Sequence, residues 1–91
     1  MYSFKFNCLK ICDLLEIAEM NKECLASLGD YFLDECWYEQ EINAWLNALR
    51  LRLDAVKGVD LLFESMYSAM LKDAFKKRDE IRKRSNFRMA S

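Results

Sequence analysis

Histidine and proline are absent from this chain of 91 residues, and glycine occurs only twice, at Gly29 and Gly58. Each absence removes a class of function or fold. Without histidine the commonest general acid–base group is missing. A cysteine nucleophile would have only lysines or carboxylates as its base. The carboxylate metal sites of helical bundles need Glu-x-x-His pairs, which cannot be formed. There is no Gly-rich loop to cradle phosphates and no Gly-x-Ser-x-Gly elbow. The sequence therefore points away from an enzyme: no catalytic residue, no metal ligand and no cofactor is expected. The lack of proline and scarcity of glycine argue against the many tight turns of a β-sandwich or barrel. No apolar run approaches the roughly 18–20 residues that span a bilayer, so no membrane association is expected. Lys5, Lys10, Asp13 and Glu16 interrupt the stretch where a signal peptide would be continuously apolar. A cytoplasmic protein is the resulting expectation.

Apolar residues, by contrast, are plentiful. Hydrophobic residues make up 53% of the chain and aromatics 13%, which excludes a disordered chain and fits one domain. The four cysteines are Cys8, Cys12, Cys24 and Cys36. Cys8 and Cys12 lie one helical turn apart, but Cys24 and Cys36 do not repeat that spacing, and no CxxC knuckle suggests zinc. Reduced, buried, structural cysteines are expected.

The apolar pattern is helical. Tyr38, Ile42, Trp45, Leu49, Leu53 and Val56 recur every three or four residues. Leu33, Trp37, Ala44, Ala48, Leu51 and Ala55 form a second stripe, interrupted by Glu41. Together they predict one long central helix over 30–57, capped by Asp30 and bounded by Gly29 and Gly58 as left-handed closing residues. A first helix over 7–28 is expected, with Asn7 as its cap and Ile11, Leu14, Leu15, Ala18, Leu25 and Leu28 inside. Met20-Asn21-Lys22 is its weak point, where Asn21 could cap a short second piece. A helix–turn–helix across that point lacks the turn glycine and has few groups suited to base edges, so a kinked amphipathic helix is the reading. Asp60 is expected to cap a third helix, 60–84, with Phe63, Met66, Tyr67, Met70, Ala74 and Ile81 inward. Residues 1–6, with alternating Tyr2, Phe4 and Phe6, read as an N-terminal arm, and 85–91 as a frayed tail. The predicted fold is all-α: a single-domain three-helix up-down-up bundle with a long central helix.

The formal net charge of −1 conceals an asymmetry. Residues 1–71 carry 6 basic and 12 acidic side chains, whereas residues 72–91 carry 8 basic and 3 acidic ones. In an antiparallel bundle the acids of 34–41 would face the bases of 76–84 and set register more than stability. Two functional readings compete with that. An acidic and aromatic face built from Tyr31, Asp34, Glu35, Trp37, Tyr38, Glu39 and Glu41 would dock on a larger, basic protein surface, as an adaptor or inhibitor does. Alternatively, Lys76, Lys77, Arg78, Arg82, Lys83 and Arg84 would grip nucleic-acid phosphates, although Asp79 and Glu80 interrupt them. A third expectation is structural: the central helix is apolar on more sides than one small core hides, which favours a symmetric homodimer.

Overall fold

The computed structural model describes the backbone of residues 6–90 and the side chains of residues 6–84. Four helices account for nearly all of it: α1 (Cys8–Ala18), α2 (Lys22–Glu35), α3 (Glu39–Val56) and α4 (Leu61–Ala90). Among the described residues there is no strand. The all-α class holds, but the helix count is four and not three. Of the N-terminal arm, only Phe6 lies within the described residues. It is buried, its ring edge-on to Phe32 at 5.9 Å.

Two of the expected boundaries are in the wrong place, and both errors come from Gly29. This glycine does not end a helix: it lies in the interior of α2 and is buried. Asp30 caps nothing and sits one residue further along the same helix. A glycine inside a helix costs about 1 kcal/mol relative to alanine. Here its small size is used, because a Cβ at position 29 would stand 2.8 Å from Met70 Cε. Close packing of α2 on α4 replaces the helix stop that the sequence suggested. The inward face of α2 is then Leu25, Gly29 and Phe32, continued by Cys36 just past its end. That is a helical stripe only if the helix runs through Gly29.

The predicted central rod is consequently two pieces. Residues 30–35 finish α2, and α3 begins only at Glu39. The weak point at Met20-Asn21-Lys22 is a full chain reversal and not a kink, and Asn21 Oδ1 accepts from the Glu23 N–H at 2.9 Å to start α2. Three other expected signals stand. Asn7 Oδ1 accepts from the N–H groups of Leu9 and Lys10. Asp60 Oδ1 does the same for Leu62 and Phe63. Gly58, at φ 77, closes α3 in a conformation that only glycine adopts without strain.

Register follows from a few contacts. Cys12 donates to the Ala48 carbonyl and Arg52 reaches Glu16, so α1 and α3 run parallel. Arg82 meets Glu39 while Tyr67 meets the Arg52 neighbourhood, so α4 runs antiparallel to α3. Phe6 at the start of α1 touches Phe32 near the end of α2, so those two are antiparallel. The result is an up-down-up-down arrangement of two helical hairpins. Phe32 stacks on Trp45 at 4.8 Å between α2 and α3. Ile42, Trp45, Leu46, Ala48 and Leu49 of α3 are buried, as are Tyr67, Ala74 and Ile81 of α4. Burying each large apolar side chain stabilises by about 1.5–3 kcal/mol.

At 30 residues α4 is about 45 Å long, matching the 48 Å long axis of the molecule. It continues as helix to Ala90, past the Arg84 where the periodicity ended it and through most of the expected frayed tail. The basic stretch 76–84 packs against the core, since Ile81 is buried and Lys77 and Arg78 are half-buried.

One polar cluster lies inside. Arg52 forms a two-pronged pair with Glu19, with Nε and Nη2 each 3.0 Å from a carboxylate oxygen, and its Nη1 reaches Glu16. The hydroxyl of fully buried Tyr67 donates to the same Glu19 carboxylate. Helices α1, α3 and α4 are thus joined at one point.

Candidate functional site

The α2–α3 connection, Cys36-Trp37-Tyr38, holds two of the expected docking residues, and the helix ends on either side of it hold the rest. Aromatic residues and cysteine are mediocre helix formers, so the helix is easily interrupted there. The interruption is held by Glu41. Its Oε1 accepts from the backbone N–H of Trp37 at 2.7 Å and of Tyr38 at 3.1 Å. This is the acidic half of a capping box: a glutamate at the third helical position reaches back to the chain before the helix. The usual Ser, Thr, Asp or Asn before the helix is absent, which hid the boundary. The visible cue was Glu41 itself, a carboxylate interrupting an otherwise apolar stripe. Glu39 and Glu41 also place negative charge at the positive end of the α3 dipole.

The side chains that result are arranged in a definite way. Cys36 is buried and pins the connection to the core. Its thiol is pushed up to about 12, chiefly by burial and then by the Glu41 carboxylate, with Lys77 opposing. Trp37 and Tyr38 turn outward, 63% and 68% exposed. Tyr31, one turn earlier on α2, is 49% exposed and edge-on to Phe32 at 5.4 Å. Asp34 is exposed and Glu35 half-buried.

The seven expected docking residues therefore separate by task. Glu41 is committed to the cap. Glu39 forms an ion pair with Arg82 at 2.7 Å. Tyr31 and Glu35 lie on the same flank of α2, with Asp34 between that flank and the one facing α4. What remains outward is aromatic more than acidic.

The basic residues are also partly engaged. Arg78 lies over the Phe75 ring at 4.9 Å, and Arg50 lies over the same ring at 5.3 Å. Arg82 is held by Glu39. Lys77 is half-buried, and its charge acts on Cys36. Lys76, Lys83 and Arg84 are exposed.

All four cysteines are free thiols, but only Cys36 is buried. Cys8 and Cys12 are half-buried and Cys24 is exposed, so the expectation of four buried cysteines fails for three. Among the described residues no cluster of three or more His, Cys, Asp or Glu could hold a metal ion. No helix among them is long and apolar enough to cross a membrane. No protein-family model matches the chain, and no curated protein or solved structure shows significant similarity to it.

Proposed function

We propose that this chain is a small protein-binding module that acts by docking and not by chemistry. The observation that carries the reading is the pair Trp37 and Tyr38, largely exposed on a connection that Glu41 and Cys36 hold in place. Tryptophan and tyrosine are the side chains most often found as interface anchors. They bury large areas at small rotamer cost, and a braced backbone lowers the ordering cost of binding further. Asp34 beside them favours a basic partner surface. An adaptor or an inhibitor that occludes such a surface fits this layout.

Two rival readings have less support. Nucleic-acid binding through α4 would need cations presented together, yet Arg78 is folded onto Phe75 and Arg82 is paired with Glu39. Self-association through α3 rests on its wide apolar face, but α1 and α4 both pack on that helix and leave Leu51 and Ala55 of the face exposed.

The test is affinity capture from source cells with the wild-type chain and a Trp37→Ser/Tyr38→Ser variant, read by mass spectrometry. Proteins recovered by the wild type and lost with the variant are expected. Equal recovery by both would overturn the reading.

A further inference from the structure

A second surface feature, on the opposite flank of α2 from Tyr31, carries more specific chemistry. Between α2 and α4 lies an open apolar groove of 210 Å³. It exists because small residues line both helices: Ala26 and Gly29 on α2, Ala69 on α4. Trp45 closes its floor, and Leu33, Met66 and Met70 form its walls. Its polar boundary comes from two carboxylates, Asp30 on α2 and Asp73 on α4.

Both aspartates are exposed, and neither forms a hydrogen bond or ion pair with another side chain among the described residues. Their situation contrasts with Glu19, Glu39, Glu41 and Glu64, each of which is bound to a partner within the chain. Lys76 and Lys77 stand one turn further along α4, where they line a neighbouring depression together with Asp34 and Asp73. An apolar slot with an exposed carboxylate on each wall complements one ligand chemistry: an aliphatic stem ending in a cation. Lysine and arginine side chains have that form, burying their methylenes while the charged head stays at the rim. Methionines on the wall adapt to such a stem because they are unbranched and flexible.

We propose that the α2–α4 groove receives a lysine or arginine side chain of a basic protein partner, its stem over Trp45 and its charge between Asp30 and Asp73. This rests on the docking reading above and names the chemistry of the partner's anchor. Glycine at position 29 keeps the slot open, because a Cβ there would stand 2.8 Å from Met70 Cε, the movable end of a flexible side chain. A side chain at position 29 would push on Met70 and fill the slot from beneath.

The probe is n-pentylammonium, a lysine side chain with a methyl group standing for its Cα, compared with the neutral 1-pentanol and the anionic pentanoate. Binding is followed by amide chemical shifts of the whole chain. Pentylammonium is expected to shift the amides of Gly29, Asp30, Ala69 and Met70 saturably, and more tightly than pentanol or pentanoate. An Asp30→Asn/Asp73→Asn variant keeps both side chains' shape, and its folding is checked by its own amide spectrum. It should weaken pentylammonium about tenfold while leaving pentanol within about twofold. Equal affinity for ammonium and alcohol, shifts located elsewhere, or an ammonium affinity untouched by the double variant would each overturn the proposal. The titration contains no partner protein, so its failure leaves the Trp37/Tyr38 capture result standing, and the converse also holds.

Discussion

The pairs Arg52–Glu19 and Arg82–Glu39 each tie two helices of this bundle together, and they are alike only in name. Arg52 and Glu19 each expose 15% of their side chain, and Tyr67 and Glu16 join them. Arg82 and Glu39 expose 47% and 45% and stand with one another at the far end of α4. The first pair is largely shielded from water, so its charges depend on each other. The second remains solvated, so water can replace either partner. A buried pair is costly to break because the survivor is left uncompensated, whereas an exposed pair contributes little and is screened by salt. Charge pairing visible in a sequence thus says nothing of its energetic weight until burial is known.

The difference can be broken experimentally. Arg52→Ala should lower unfolding stability by about 3 kcal/mol, the low end for a buried pair because some solvent reaches it. Denaturant titration measures this, and a loss under about 1 kcal/mol would place the pair with its exposed counterpart. Tyr67→Phe removes one donor to a charged acceptor and should cost about 2 kcal/mol.

The same region should give the fold an alkaline limit. Burial first, and then the Glu19 carboxylate, push the Tyr67 hydroxyl above its ordinary 10.0, with Arg52 opposing. The folded chain therefore holds that proton more tightly than the unfolded chain. The contribution of Tyr67 to stability is complete below pH 10.0 and falls as pH rises beyond it. Cys36 acts in the same direction from 9.0 up to about 12. Denaturant midpoints between pH 8 and pH 11 should fall in the wild type. They should fall less in Tyr67→Phe and least when Cys36→Ala is added.

Glu41→Ala should cost about 1 kcal/mol, typical of a lost cap, and Glu41→Gln less, because an amide oxygen still accepts. The smallest effect belongs to the exposed pair. Glu39→Ala should leave the melting curve within error of wild type, and any residual shift should vanish in 1 M salt, where the screening length is about 3 Å. A large, salt-insensitive shift would erase the contrast between the two pairs.

Much of this was legible from residues alone. Of the stripe Tyr38, Ile42, Trp45, Leu49, Leu53 and Val56 all but Tyr38 are inward as the spacing requires, whereas Leu14, Leu51 and Ala55, also expected inward, are exposed; Asn7, Gly58 and Asp60 cap where their chemistry suits. Asn21 was visible as a possible start, but the reversal before it was not. The docking site was legible as composition and misread as geometry. Trp37 and Tyr38 were placed on a continuous helix, and Glu39 and Glu41 were counted as recognition charges. Glu41 instead holds the backbone and Glu39 is paired with Arg82.

Sequence by itself determined the class: helical periodicity, no proline, and polar caps leave few alternatives to a bundle, because those are local properties of neighbouring residues. Tertiary structure decided where the helices divide and which charges matter. Gly29 reads as a stop until Met70 is packed against it, and Arg52 reads as a surface charge until Glu19 and Tyr67 close over it. Both outcomes depend on residues 15 to 41 positions away, and the free energy of such contacts lies in burial that no local pattern records.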